Sequence, residues 1–481
     1  MRFAKGKSLG LLISRAFFFF KPRGFSFSLR KRKGLIENLF YHIYYYPVMI
    51  QRPRDTRDFS PDEIHKRGQA ESMMKISVRV QRQRGTRDFG PDEMCGRRQV
   101  ENMMRKTCLT FGYREIATPT FESTELFTKK SGEGIVKQLY NFKDKGGRDI
   151  ALRPELTAPA IRFYVNEMQS LPKPLKLFYF GNCFRYEEPQ KGRFREFWQF
   201  GVECIGGKAE AEVMALAVKM LENMGLKNFD LRIGHLGILR SILGDVDSSV
   251  MTLIDKKNFD ELKEKIDEEK YKKLMKTIYL KEEIFDEKEL DSRYLEELKN
   301  VLEELKLFGV KKCTVDLSMA RGLDYYSGIV FEIDCPDLGS EKQVCGGGSY
   351  NLSCLFGGEE INSTGFAIGF DRVMIALEAQ GMVFDEDKLD AYVIPMGSKA
   401  RKRGFEIVTM LREKGIRCDA DLIGRSVAKN MGYADSTGVK RVVIIGENEL
   451  KEDKVTVKDM GTGKQEKIPV KNLIKHLKEE K

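Results

Sequence analysis

Apolar positions along this chain follow two rhythms, a period near 3.6 and a period of 2, and their alternation predicts its elements. A helix starts at the run Pro91, Asp92, Glu93, where proline loses no hydrogen bond and acids meet the helix N-terminus, and it continues to about Phe111. From Tyr113 the sequence turns β-rich, and residues 175–187 and 197–206 read as antiparallel strands joined by a polar turn at 189–193. Residues 209–224 return to helical spacing. From about 245 to 306 the chain is dense in Lys and Glu, carries Leu, Ile and Tyr at helical intervals and has no glycine between Gly244 and Gly309, which predicts a helical insertion. Strand-like sequence resumes at 313–319 and 329–333. After Leu389, residues 391–394, 401–414 and 442–445 alternate strand, helix and strand, the pattern of a small α/β domain. The expected class is α+β: an antiparallel-sheet body at 81–244 and 307–390, the insertion at 245–306 and an α/β domain at 391–481.

Length and composition narrow this further. A chain of 481 residues with 41% hydrophobic and 32% charged residues is expected to form two to four soluble domains. No run reaches the roughly 18 apolar residues of a membrane span; the nearest, 9–20, is broken by Arg15. The net charge of +11 is unevenly placed: residues 1–50 carry +9 and 51–80 carry +2, whereas 81–390 carry −7 and 391–481 carry +7. An anionic partner such as a nucleic acid is therefore expected at the C-terminal end, although a solvated lysine-rich face gives the same count. Nine cysteines without a CxxC pair suit reduced thiols in a cytosol-like compartment, and the four histidines, His42, His65, His235 and His476, are too scattered for a zinc site. The first 48 residues are basic, nearly free of acids and aromatic-rich, a composition that fits an organelle transit segment and equally translated sequence upstream of the true start. An internal repeat follows: residues 51–76 align without gaps to 81–106, with 15 of 26 positions identical. Two copies are too few for a solenoid. The second runs directly into the enzyme-like body and is taken as the working copy, and residues 1–80 are expected to be a poorly ordered extension.

Two segments carry candidate chemistry. FRYEEPQKGRFREFWQFGVE, 184–203, places Arg185, Arg193 and Arg195 on a hairpin, and guanidinium groups match phosphate oxygens with fixed, paired donors. The interleaved Glu187, Glu196 and Glu203 would repel phosphate unless they serve another group, such as an ammonium or a nucleobase amine. A charged surface hairpin is the plainer alternative. GFAIGFDRVMIAL, 365–377, turns a Gly-rich strand into an amphipathic helix with Arg372 near the junction, and no GxxxxGK[ST] occurs, so the P-loop route to phosphate binding is absent.

Together these segments resemble the class II aminoacyl-tRNA synthetases, whose antiparallel-sheet catalytic domain activates an amino acid with ATP. Residues 184–203 are similar to that class's motif 2, 365–377 to motif 3, and 112–120, with Pro119, to motif 1, the dimer-interface element. RGLDYYSG at 321–328 and LRPELTA at 152–158 resemble the histidine-pocket motifs of the histidyl-tRNA synthetase family, and GTRDF at 85–89 its opening motif. The resemblance runs from about residue 81 to the end. It implies that Glu155, Thr157 and Gln199 bind the α-amino group of histidine, with Leu156 beside them. Glu203 and Tyr326 would grip the imidazole, and Tyr325 and Tyr350 would line the pocket. Arg185 and Arg321 would be the catalytic pair at the α-phosphate, Arg321 taking a place that other class II enzymes give to a metal ion. Arg193 and Arg372 would hold the outer phosphates, and Phe197 would stack on adenine. Fixed arginines suit this chemistry, because two anions must approach and charge grows on the phosphate oxygens.

The implied activity is that of a histidine–tRNA ligase, with L-histidine, histidine tRNA and ATP with Mg2+ as the substrate complex, a C-terminal anticodon-binding domain, a homodimer in the cytoplasm and no structural metal. Organelle import is the alternative if 1–48 is a transit segment. One departure stands out. The family's Gly-Gly-Arg-Tyr-Asp run is here CGGGSYNL, 345–352, with Ser349 and Asn351 in place of the charged pair. The rival reading is a synthetase-like regulatory subunit of histidine biosynthesis. Such subunits generally lack the C-terminal domain, and the arginine set Arg185, Arg321 and Arg372 argues against it.

Overall fold

The computed structural model describes residues 80–479 apart from 245, 281–283, 286, 287, 289 and 321–325. The expectations for the basic N-terminal extension and its first repeat copy lie outside the described residues. The predicted first helix is present as Pro91–Thr110, with Pro at its start and Asp92 and Glu93 in the first turn. Its buried positions, among them Val100, Met104 and Cys108, recur every three to four residues and face the main core.

Two sheets lie in the body. Strand β1 (Arg114–Glu115) begins the large one, while β2 (Phe121–Ser123), β3 (Asn141–Lys143) and β4 (Asp149–Leu152) form a small antiparallel sheet in the order β2-β4-β3. The large sheet continues with β5 (Leu175–Phe184), β6 (Glu196–Ile205), β7 (Asp230–His235), β8 (Thr314–Val315), β9 (Tyr326–Asp334), β10 (Gln343–Tyr350) and β11 (Ser363–Gly369). Its order is β1-β5-β6-β11-β10-β9-β7-β8, antiparallel throughout except at the two edge pairs. The predicted hairpin is therefore the β5–β6 pair, with ten residues of each strand in register. The strand expected at 313–319 is corrected: only Thr314 and Val315 pair. Asp316 ends the strand because its Oδ1 accepts from the backbone N and Oγ of Ser318 while its Oδ2 holds Arg232, so the side chain bends the backbone into a turn.

Between β7 and β8 the described residues form helices Leu236–Leu243, Ser248–Asp255, Phe259–Lys265, Glu268–Tyr279 and Ser292–Leu307. The last four begin at Asp247, Asn258, Asp267 and Asp291, each of whose side chains accepts a backbone N–H of the first turn. Such caps contribute about 1 kcal/mol each and mark helix starts that Lys/Glu-rich sequence alone leaves vague. After residue 390 a second sheet forms from β12 (Ala391–Pro395), β13 (Cys418–Ala420), β14 (Arg441–Ile445), β15 (Lys454–Asp459) and β16 (Gln465–Pro469), in the order β13-β12-β14-β15-β16. Strand β12 is parallel to both neighbours, β14–β15–β16 is an antiparallel meander, and the sheet has its own core around Val393, Ile407, Leu411 and Val443.

The second repeat copy is fitted closely to its surroundings. Gly85 has φ +84°, and a Cβ there would lie 2.7 Å from Arg195 Cγ; a Cβ on Gly96 would lie 2.7 Å from the Phe384 ring. The first copy carries Asp55 and Lys66 at the corresponding positions, whose side chains have no room in these places. That is the physical reason the second copy suits this fold.

Candidate active site

Side chains alternate along a strand, so Phe197, Gln199, Gly201 and Glu203 of β6 share one face of the large sheet. Phe200, Val202 and Cys204 point into the core on the other. Across the ladder, Tyr179 and Gly181 of β5 stand opposite Gly201 and Gln199. On the other side, Gly365, Ala367 and Gly369 of β11 stand opposite Glu203, Gly201 and Gln199. Strand β10 adds Gly346 and Gly348. Most of these positions have no side chain beyond Cβ, so backbone forms the floor, and neighbouring side chains can lie flat on it. A Cβ on Gly365 would collide with Glu203 Oε2, and one on Gly201 with the Tyr179 ring.

At one end of this face Glu203 is 1% exposed. Its Oε1 accepts from Tyr179 Oη at 2.6 Å, and its Oε2 accepts from Tyr350 Oη. Tyr179 Oη also meets Thr157 Oγ1 at 3.2 Å, giving a polar chain Thr157–Tyr179–Glu203–Tyr350. Burial, and next the Glu203 carboxylate, raise the Tyr179 phenol well above its ordinary pKa, so it remains a donor. A hydrogen bond to a charged group contributes about 1.5–3 kcal/mol, and such bonds offset the cost of burying a carboxylate. Tyr326 packs its ring against Tyr350, centroids 6.3 Å apart and near perpendicular, and lies over Gly348, where a Cβ would be 3.0 Å from the ring. Gln199 accepts from the Cys183 thiol at 3.3 Å; burial pushes that thiol up to about 12, so it stays protonated.

The other end is cationic. Arg185 donates from Nε to Pro154 O at 2.9 Å, and its guanidinium lies over the Phe197 ring at 5.2 Å. Arg193 and Arg372 share one carboxylate: Glu341 Oε2 is 3.2 Å from Arg193 Nε and 3.0 Å from Arg372 Nη2. Arg372 also donates to Gly192 O at 3.0 Å and Gln343 O at 2.9 Å, tying the start of its helix to the tip of the hairpin. Burial lowers the Arg372 pKa and Glu341 raises it. A guanidinium keeps its charge through such shifts.

The remaining expected residues are distributed as follows. Arg321 and Tyr325 lie outside the described residues. Glu155 accepts the backbone N–H groups of Thr157 (2.7 Å) and Ala158 (3.1 Å), at the start of helix Thr157–Phe163. Leu156 belongs to the main core. Ser349 and Asn351 are both off the groove. Ser349 alternates with Tyr350, is buried on the opposite face and donates to Glu210 Oε1 at 2.7 Å. Asn351 donates to Glu360 Oε1 at 3.1 Å. The departure from the family's charged pair therefore lies away from the groove.

Three residues of this region were missed by sequence reasoning: Tyr179, Glu341 and Asp371. Tyr179 sits in an ordinary β-strand pattern, and only its register with Gly201 reveals it. Glu341 lies 31 residues before Arg372 and carries no local signal. Asp371 adjoins Arg372 at the first turn of helix Phe370–Ala379, where an acid has an ordinary explanation in the helix dipole.

The profile of the family described as histidyl-tRNA synthetase matches residues 85–373, and that of the anticodon binding domain matches 390–480. The histidine–tRNA ligase of Archaeoglobus fulgidus is 48% identical over 436 residues, covering 87% of this chain and 97% of that protein. The histidine–tRNA ligase of Methanocaldococcus jannaschii is 46% identical over 448 residues, covering 89% of this chain and 99% of that protein. The crystal structure of apo histidyl-tRNA synthetase from S. aureus superposes with a TM-score of 0.64 at 32% identity, covering 83% of this chain and all of that one. Family profile, curated relatives and fold converge, and the chain belongs to the histidyl-tRNA synthetase family.

Proposed function

We propose that this chain is a histidine–tRNA ligase and that both substrates of the first step bind on the glycine-floored face of the large sheet. The single observation that carries the residue-level reading is the carboxylate of Glu203. It is buried, it is held by two tyrosine hydroxyls, and it shares one face of β6 with Phe197, which lies at the arginine end under Arg185. An imidazole offers one N–H donor and one acceptor, so a fixed carboxylate and a hydroxyl form a matched pair for it. In this reading Glu203 accepts from the ring N–H and Tyr326 meets the other nitrogen. Tyr350 and Tyr325 line the pocket, and Glu155, Thr157 and Gln199, with Leu156 behind them, receive the α-ammonium.

ATP with Mg2+ enters as substrate along the cationic end. Phe197 stacks on adenine, Arg193 and Arg372 hold the outer phosphates, and Arg185 and Arg321 flank the α-phosphate. The histidine carboxylate oxygen bonds to the α-phosphorus, the bond from that phosphorus to the bridging oxygen breaks, and pyrophosphate leaves with the electron pair. The arginines stabilise charge that grows on the non-bridging oxygens. A hydroxyl of the terminal tRNA ribose then attacks the acyl carbon, and AMP departs. The division into 81–244, 245–306, 307–390 and 391–481, with the last segment carrying the tRNA contact, belongs to the same reading. So does a homodimer, supported by β1 at the sheet edge with Leu109 and Phe121 exposed nearby. A cytoplasmic setting is supported by nine free cysteines. The regulatory reading loses ground to the anticodon-binding match at 390–480.

Pyrophosphate exchange measured with each amino acid tests the activity and should show histidine alone as an efficient substrate. Glu203→Ala tests the site. It should raise the KM for histidine by about a hundredfold or more, since stranded polar groups discriminate strongly, while the KM for ATP stays nearly unchanged. Loss of ATP affinity with an intact histidine KM would sink the imidazole assignment.

A further inference from the structure

Asp371 stands immediately before Arg372 and is 3% exposed. Its Oδ1 accepts from Arg87 Nη2 at 2.5 Å and from Arg97 Nη1 at 2.8 Å, and its Oδ2 accepts from the backbone N of Trp198 at 2.8 Å. The last bond has a topological cause. The β6–β11 ladder ends where Gly369 pairs with Gln199, because the chain turns into helix Phe370–Ala379. The next N–H of β6 has lost its strand partner, and the Asp371 carboxylate takes that place. Phe197, whose ring faces the groove, is the residue on the other side of that peptide.

The two arginines come from the opening segment and the first helix. Arg87 lies over the Phe194 ring at 3.6 Å and the Phe89 ring at 4.9 Å, and Arg97 lies over Phe89 at 4.1 Å and Phe370 at 4.8 Å. Arg195 N donates to Gly85 O at 2.9 Å, so the same segment also grips the returning arm of the hairpin. Arg372 meanwhile holds the hairpin tip through Gly192 O. The returning strand of the hairpin, at Trp198, and its tip, at Gly192, are thus fixed by adjacent residues of one helix turn, and the opening segment closes around that turn.

We infer that Asp371, clamped by Arg87 and Arg97, is a positioning residue for ATP. It sets the helix turn from which Arg372 reaches the hairpin, and it pins the β6 peptide beside Phe197. The opening TRDF segment thereby acts on nucleotide binding without touching the nucleotide. This inference rests on the assignment of the cationic end to ATP.

Steady-state pyrophosphate exchange on the full chain tests it with four variants. Asp371→Asn keeps the size but removes the charge that two guanidinium groups share. Arg87→Ala, at a half-buried position, removes one clamp with less risk to folding. Each should raise the KM for ATP by about tenfold while the KM for histidine stays within about twofold, and Arg87→Lys should recover only part, because an ammonium cannot stack or fork as a guanidinium does. Equal rises in both KM values, or wild-type KM values with a lower melting temperature alone, would show a merely structural clamp and overturn the inference. Arg372→Ala separates the two levels. If it leaves the KM for ATP unchanged, the nucleotide assignment itself fails; if it raises that KM while Asp371→Asn and Arg87→Ala do not, only the positioning role fails.

Discussion

At Gly365 the missing side chain matters as much as any present one. The space a methyl group would fill is taken by Oε2 of Glu203, with Val202 O also close at 2.5 Å. Gly365→Ala must therefore push the carboxylate away from Tyr179 and Tyr350 or move the strand. Overpacking of this kind costs about 1–3 kcal/mol, and here the cost falls on a single hydrogen-bonded group. The expected outcome is a lower melting temperature together with a histidine KM raised by about tenfold or more, with the KM for ATP little changed. Pyrophosphate exchange read beside thermal unfolding checks this. A variant that loses stability but binds histidine normally would mean that the carboxylate position described above is not the one that binds. Ser349 makes the opposite point: it is next in sequence to Tyr350, yet its hydroxyl serves the helix side of the sheet.

Elements in this fold often begin on the residue that ends the previous one, and His235 is an instance. It closes β7, and its Nδ1 accepts the Gly237 N–H at 3.0 Å, capping helix Leu236–Leu243. Its Nε2 lies 3.0 Å from Glu297. Only a neutral ring with its proton on Nε2 satisfies both contacts. Burial lowers the His235 pKa from 6.5, and Glu297 opposes that shift without cancelling it. The sign follows from linkage. The unfolded chain takes up the proton more readily than the folded one, so this contribution is present above 6.5 and is lost as pH falls through the folded pKa. An Asn at this position offers a capping oxygen that does not titrate. The stability of the wild type relative to His235→Asn should therefore decline between about pH 7 and pH 5, read from melting temperatures at each pH. A difference independent of pH would show that the cap does not depend on the neutral ring.

At the scale of the whole molecule, the chain around residues 384–390 joins the body to the C-terminal domain and is strapped at both ends. Asp385 O accepts from Gln99 Nε2 at 2.6 Å and from the Cys95 thiol at 3.1 Å, on the first helix. Asp387 pairs with Arg417 at 2.5 Å, and Asp390 with Lys440 at 2.9 Å, on the C-terminal side. The charge division, −7 for 81–390 and +7 for 391–481, lies across this strap. Removal of residues 391–481 should weaken tRNA charging while sparing histidine-dependent pyrophosphate exchange. In the full chain, tRNA affinity should fall steeply with salt, as phosphate contacts release counterions. Equal loss of both activities on removal would assign the domain a structural role instead.

What the sequence determined by itself was local or periodic. Proline and acids at 91–93 mark a helix start, alternation marks β5 and β6, and the Gly-rich strand followed by Arg372 marks β11 and its helix, because each signal lies within a few residues of what it specifies. The glycines at 346, 348 and 365 and the tyrosines at 326 and 350 were visible as motifs for the same reason. Only the tertiary structure decided which residues meet. Tyr179 reaches Glu203 through strand register, Glu341 bridges Arg193 and Arg372 from a separate connection, and Asp371 gathers Arg87 and Arg97 from nearly three hundred residues earlier in the chain. Ser349 and Asn351 sit within the motif, yet alternation puts Ser349 on the far face, and Asn351 follows the end of β10 and bonds to Glu360. Contacts of this kind depend on strand order and on the side a residue faces, and a one-residue slip reverses that side. The chemistry of the residues was therefore legible in the sequence, whereas their partners were set by packing.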